Sequence, residues 1–221
     1  KVVVFESDDW GASRTFDKCS FKRLVERFGD SNDPFIKYDS LESKEDVERL
    51  MTVLGKHSDS NGKAPVFTLN FGLKSPNFKA IIDSDYFTFF ENNLESSYLF
   101  ANKESGFFSI KQGIKNHLFV PQLHAVHHMN VNEWMISLKN NASHKTIVDN
   151  FCLDYSCLFA KNRPFLFMDE MRDIEKNRIN QYLLNANKVF NNEFGFYSSS
   201  FIPCCNVINS ECDYIFANTH I

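Results

Sequence analysis

The segment Lys1-Val-Val-Val-Phe-Glu-Ser-Asp-Asp-Trp-Gly11 places four apolar residues, three of them β-branched, before two adjacent carboxylates. Such a run predicts a buried strand. Asp8 and Asp9 then follow at its C-terminal end, where ligands and catalytic groups collect in parallel α/β sheets and barrels. Because adjacent carboxylates repel each other, a metal ion is the simplest partner that offsets their charge. The structural alternative is that both residues cap a turn and the following helix, with Gly11 at the bend.

Length and charge limit the classes of protein to consider. The 221 residues contain no obvious linker, so a single domain over 1–221 is expected, with missing segments at both ends left open. The net charge of -4 argues against a nucleic-acid partner and an anionic membrane, and favours small ligands or neutral polymers. No run of about 18 apolar residues exists, so no membrane span is expected either. The oligomeric state stays open.

The six cysteines show no C-x-x-C spacing, which argues against a structural zinc site. Buried thiols in a chain of this size favour the cytoplasm. The sequon Asn141-Ala-Ser143 instead points to secretion. The compartment is therefore left open, with the cytoplasm favoured.

Strand-like and helix-like segments alternate along the chain. Helices are expected where apolar residues recur at helical spacing, as in the segment capped by Ser43 and Asp46 and in the long segment from Glu170 to Asn192. The expected strands are residues 2–6, 65–70, 118–123, 164–168 and 196–202. This β-α order predicts an α/β fold with parallel strands, either open or closed into a barrel.

The third expected strand is followed by His124-Ala-Val-His-His128. His124 and His128 are four residues apart and would share one face of a helical turn, while His127 would point elsewhere. With an aspartate from another strand end, they would form a two-histidine, one-carboxylate site with positions open for water. Asn70, at the end of the second strand, could face the same pole. The alternative is that these are surface or core histidines near a helix start.

These motifs together resemble those of the polysaccharide deacetylases. Phe5-Glu-Ser-Asp-Asp-Trp-Gly11 is similar to their T-F-D-D-G motif, His124-Ala-Val-His-His128 to H-S-x-x-H, and Ala64-Pro-Val-Phe-Thr-Leu-Asn70 to the strand between them. Ser200-Phe-Ile-Pro203 further resembles the late S-F-I-A-P of an uncharacterised deacetylase-like branch.

The resemblance implies a distorted (β/α) barrel that removes N-acetyl or O-acetyl groups from a carbohydrate. In it Asp8 would be the catalytic base, and Asp9, His124 and His128 would hold a divalent metal, zinc above all. An ion of this kind polarises the acyl carbonyl and lowers the pKa of water, while the unligated carboxylate takes the proton.

Two features depart from that family. The segment from Phe194 to Cys205 lacks the arginine that orients the base, and only His220 stands where the family has its acid. One alternative is therefore a deacetylase-like module that binds carbohydrate or metal without catalysis. Another is a metal-independent glycoside hydrolase that pairs Asp8 with Asp169 or Glu170.

Overall fold

The computed structural model describes residues 3–16, 18–31, 34–153, 155 and 176–204. This part of the chain is a mixed α/β structure. Its strands are β1 (Phe5–Trp10), β2 (Phe67–Pro76), β3 (Glu91–Asn93) and β4 (Phe119–His127). Its helices are α1 (Lys18–Phe28), α2 (Pro34–Lys37), α3 (Lys44–Leu54), α4 (Phe78–Asp83), α5 (Leu94–Phe100), α6 (Glu104–Lys115), α7 (Val131–Asn140), α8 (Ala142–Asp149) and α9 (Lys176–Phe194).

Strand β2 is the centre of the sheet. It pairs in parallel with both β1 and β4, and the short β3 pairs antiparallel with its last residues. In this register Phe67 lies opposite Phe5 of β1 and Phe119 of β4, so all three parallel strands end at the same edge. The predicted α/β fold with parallel strands is confirmed for the described residues, within which the sheet is open.

The parallel strands extend further towards their C-terminal ends than predicted. β1 continues through Asp8 and Asp9, β2 through Pro76, and β4 through His127. Polar residues can continue these strands because the backbone still forms the ladder hydrogen bonds. The predicted C-terminal bounds of these strands, residues 6, 70 and 123, are therefore too short.

Two other expected strands have different outcomes. Residues 164–168 lie outside the described part of the chain. Residues 196–202 do not form a strand, and only Phe201 forms a bridge, parallel to Leu123 of β4. The strand prediction fails here because the backbone N–H groups of Ser199 and Ser200 donate to the side chain of Gln122 instead of to a neighbouring strand.

Local signals located several helices correctly. Ser43 and Asp46 form a capping box at the start of α3, and α1 is followed by Gly29, whose φ of 89° suits a glycine. Asn130 caps α7. Helix α8 ends at Asp149, and the chain then turns through Phe151 at a φ of 55°.

The core fills the space between the sheet and its helices. Its largest fully buried side chains include Phe71 of β2, Phe119 of β4, Trp134 of α7 and Phe190 of α9. Burial of a side chain of this size contributes roughly 1.5–3 kcal/mol. Helix α6 approaches β4 closely at Gly113, where a Cβ would lie 2.2 Å from the Phe119 ring. These contacts fix the strand that carries the histidines.

Within the described residues, no helix combines the length and the apolar composition needed to cross a membrane.

Candidate metal centre

A bulge in β1 sets the positions of the two aspartates. Ser7 pairs with Leu69 and Trp10 with Phe71, so Asp8 and Asp9 together lie opposite the single residue Asn70. In a regular strand, consecutive side chains point to opposite faces, and a bulge re-aims one of them. Asp9 accordingly has a φ of 67°, a left-handed conformation that aspartate tolerates better than most residues. Such a conformation costs about 1–3 kcal/mol and is concentrated at functional sites.

Gly11 allows the chain to leave the site directly after the bulge. Its φ is 75°, and a Cβ there would lie 2.4 Å from Cδ2 of Leu94 and 2.8 Å from the carbonyl oxygen of Gly72. Both the backbone conformation and the packing therefore require glycine at this position.

The two histidines converge on Asp9. Nε2 of His124 lies 3.1 Å and Nε2 of His128 lies 2.8 Å from Oδ1 of Asp9. His124 belongs to β4 itself and His128 to the bend that follows, so the expected helical turn is wrong. The histidines still share a side because a separation of four residues is even, and alternate residues of a strand point the same way. His127 points elsewhere, as expected, and contacts Glu91.

A carbonyl group orients the buried ring of His124. Nδ1 of His124 lies 2.7 Å from the carbonyl oxygen of Ile202, which can only accept, so Nδ1 carries a proton. Nε2 is then the nitrogen that faces Asp9. Metal-binding histidines commonly use such a backbone contact to fix the ring and its tautomer.

Gln122 holds the segment that supplies this carbonyl. Its Oε1 accepts hydrogen bonds from the hydroxyl of Ser198 at 2.7 Å and from the backbone N–H groups of Ser199 and Ser200, each at 3.0 Å. These three serines therefore attach the late segment to β4.

Asp8 has a neutral partner. The side-chain amide of Asn70 donates to Oδ1 of Asp8 at 2.8 Å, and Asn70 is only 1% exposed. Asn70 thus faces the pole where the sequence placed it. Its own Oδ1 is buried and has no hydrogen-bond partner within the described residues. An unpaired buried amide oxygen is costly, and such groups are concentrated at functional sites.

The charges of this cluster depend on one another. Burial raises the pKa of Asp9, but the hydrogen bonds and charges of His124 and His128 outweigh burial and hold that pKa well below its usual range. Burial lowers the pKa of His124, yet the hydrogen bond and charge of Asp9 raise it above its usual value. Asp9 and His124 therefore stabilise each other's charged forms.

Two residues near the centre were missed by the sequence analysis. Ligand atoms of His124, His128 and Cys204 all lie within 4.8 Å of one another. The available signal is a cysteine just after an expected strand, which C-x-x-C spacing does not reveal.

Asp39, the second missed residue, lines a cavity of about 10 Å³ together with Asp9 and His128. Burial raises the pKa of its carboxyl group, and the N–H of Arg14 partly offsets this rise. Nothing in the surrounding sequence indicates its position, which depends on tertiary packing alone.

The donor set fits a zinc-type ion. Imidazole nitrogens, a carboxylate and a thiol are the groups that bind zinc in proteins, and here they come from three separate segments that meet at one edge of the sheet. His124, His128 and Cys204 form the group with metal-binding potential, and Asp9 contacts both histidines. Asp169, Glu170 and His220 lie outside the described residues.

No known protein family, curated protein or solved structure matches this chain.

Proposed function

We propose that the protein is a metal-dependent hydrolase that removes N-acetyl or O-acetyl groups from a carbohydrate, with zinc as its ion. The observation that carries the proposal is the contact of Oδ1 of Asp9 with Nε2 of both His124 and His128. The adjacent carboxylate, Asp8, is instead bound by the Asn70 amide. A site with three protein ligands leaves room for water, as catalytic zinc sites do.

The two aspartates have different roles in this proposal. Asp9, with the two histidines, would hold the ion, and Asp8 would remain unligated because its Oδ1 is bound by the Asn70 amide. These residues would thereby supply Lewis acidity at this position, which would polarise an acyl carbonyl and lower the pKa of a nearby water. Asp8 would accept a proton from the attacking water as the water oxygen bonds to the acetyl carbon. The bond between that carbon and the sugar nitrogen or oxygen would then break, the leaving atom would take up a proton, and acetate and the deacetylated sugar would be released.

Asn70 takes part of the role that the family gives to arginine. Its amide group fixes the orientation of the Asp8 carboxylate without adding a charge.

We also propose that the sheet continues into the distorted barrel implied by the resemblance. Two observations support this extension. The strand order β1-β2-β4 brings the three resembling motifs to one edge, and the parallel bridge between Leu123 and Phe201 adds the late segment beside β4.

A second candidate is a module that binds the metal or a carbohydrate without catalysis. The segment from Phe194 to Cys204 contains no arginine. Its serines are engaged with Gln122 instead of Asp8. This arrangement favours binding over turnover if the uncharged Asn70 does not position the base well enough.

Acetate release from acetylated chito-oligosaccharides by the zinc-loaded protein tests the proposal. Asp8→Asn should retain the ion and lose roughly 10²–10⁴-fold in rate, the usual contribution of a general base. Asp9→Asn should lose both the ion and the activity, and asparagine still tolerates the left-handed backbone at this position. No metal-dependent release from any acetylated glycan would favour the binding module, and equal metal loss in both variants would refute the division of roles.

A further inference from the structure

Cys204 lies where it can reach the proposed ion. It is fully buried, and its Sγ lies within 4.8 Å of the ligand nitrogens of both His124 and His128. Its Sγ is also 3.9 Å from the carbonyl oxygen of His127, which is a weak contact for a thiol.

The position of Cys204 is set by the segment that precedes it, which is hydrogen-bonded to β4. Gln122 binds Ser198, Ser199 and Ser200, and the N–H of Ile202 donates to the carbonyl oxygen of Leu123 at 3.2 Å. The segment is thus attached to β4 over several residues. The same attachment that directs the Ile202 carbonyl to His124 also brings Cys204, two residues later, to the histidines.

We propose that Cys204 binds the metal ion through its thiolate, giving a ligand set of Asp9, His124, His128 and Cys204. Binding would release the thiol proton to solvent as the sulfur–metal bond forms. The inference rests on the metal site of the proposed function, but not on acetate release.

A thiolate ligand has two consequences. It favours zinc or cadmium over magnesium, calcium and manganese, which prefer oxygen ligands. It also brings the number of protein ligands to four, the number found in closed structural zinc sites, whereas catalytic sites keep three and a water. Cys204 therefore competes with water for the fourth position.

Cobalt(II) titration of the metal-free protein tests this inference. Thiolate bound to cobalt gives an intense charge-transfer absorption in the near ultraviolet, which nitrogen and oxygen ligands do not give. Wild type should show this band on binding cobalt. Cys204→Ser should bind cobalt and zinc at least about tenfold more weakly and without the band.

Two matched variants assign the sulfur. Cys205→Ser removes the adjacent thiol, and Cys19→Ser removes an exposed one on α1. Both should keep the band and the affinity. Thermal unfolding of the metal-free variants separates a lost ligand from a lost fold. Because the wild-type spectrum is itself a test, the inference does not depend on Cys204→Ser folding.

Each remaining outcome is decisive. Cobalt binding without the band in wild type, a band that survives in Cys204→Ser, or a band lost in Cys205→Ser would overturn the inference while leaving the proposed hydrolase intact. A thiolate band in a protein that releases no acetate would support the inference and count against the hydrolase. Absence of cobalt binding would overturn both.

Discussion

Two adjacent histidines at the end of β4, His127 in the strand and His128 in the bend that follows, enter two different clusters. His128 joins His124 at Asp9, while His127 contacts Glu91 at 2.8 Å. Glu91 also forms an ion pair with Lys74, so its charge is balanced within its own cluster. Among the described residues, Asp9 has no lysine or arginine partner and is balanced by histidines alone. Two histidine–carboxylate pairs at one strand end thus differ in whether a cation is already present.

This difference indicates how a candidate metal centre can be distinguished from an ordinary ion pair. A permanent cation such as lysine leaves a carboxylate with little need for a metal. Histidine can give up its proton, and then offers the lone pair that a metal requires. The Asp9 cluster can therefore exchange its proton for an ion, whereas the Glu91 cluster is complete as it stands.

The largest expected contrast is between Asp9→Asn and Glu91→Gln. Both substitutions remove one carboxylate charge from a histidine contact at the same end of the sheet. Asp9→Asn should lower zinc affinity by more than about 100-fold, beyond the 10–100-fold typical of outer-shell partners. Glu91→Gln should change it by less than about threefold, because the ion pairs of Glu91 among the described residues are with His127 and Lys74, neither of which is a proposed ligand.

Competition with a chromophoric chelator measures both affinities, and circular dichroism checks that the variants fold. Equal losses in the two variants would show that the clusters do not differ as argued. A loss confined to Glu91→Gln would move the metal site to the other histidine.

A smaller effect is expected at Gln122, which supports the centre without contacting it. Gln122→Ala removes the acceptor for Ser198, Ser199 and Ser200, and so loosens the segment that carries Ile202 and Cys204. Zinc affinity should fall by about tenfold, the lower end for outer-shell partners. The free energy of unfolding should fall by about 1–3 kcal/mol, because buried donors lose their partner.

The matched control is Gln181→Ala on the exposed face of α9, which should change neither quantity. Zinc titration and chemical denaturation provide the two measurements. A stability loss in Gln122→Ala without any change in affinity would mean that the late segment does not orient His124.

The role of Gln122 also shows which part of the site the sequence did not predict, namely the residues that support the candidate ligands. The sequence identified five residues of the site because the C-terminal ends of parallel strands lie at one edge of a sheet; these are Asp8, Asp9, Asn70, His124 and His128. The two histidines were also paired correctly, because a spacing of four residues places side chains on the same side of a strand as well as of a helix. Strand ends and residue spacing can be predicted from the sequence because each depends on residues within one secondary-structure element.

The parts that were missed depend on contacts between distant segments. The bulge at Asp8 and Asp9 is a property of pairing with β2, and Cys204 reaches the histidines only because Gln122 binds residues about 76–78 positions away. Asp39 likewise gives no local signal and lies beside Asp9 through tertiary packing. Periodicity cannot report such contacts, so the candidate site was found from its strand ends but its supporting residues were not.

The smallest expected effect is a difference in the pH dependence of stability, measured on the metal-free protein with chelator present. The lowered pKa of Asp9 contributes stability that is present above its ordinary value of 3.8 and is lost as the pH falls below it. The raised pKa of His124 contributes stability that is present below its ordinary value of 6.5 and is lost as the pH rises through the raised value. Wild type should therefore exceed Asp9→Asn most between about pH 4 and 6.5, by about 1 kcal/mol or less, since the Asp9 side chain is 44% exposed.

Glu91 should behave differently in the same experiment. Its hydrogen bond with His127, followed by the contact with Lys74, outweighs partial burial and lowers its pKa to about 2. Its contribution should appear above its ordinary value of 4.5 and should persist at higher pH, because stability that comes from a lowered carboxyl pKa is lost only as the pH falls. Urea unfolding of wild type, Asp9→Asn and Glu91→Gln at several pH values between 3 and 9 would reveal a maximum for Asp9 and a plateau for Glu91. Two curves of the same shape would mean that Asp9 is balanced by a permanent charge, and that its cluster has no proton to exchange for a metal.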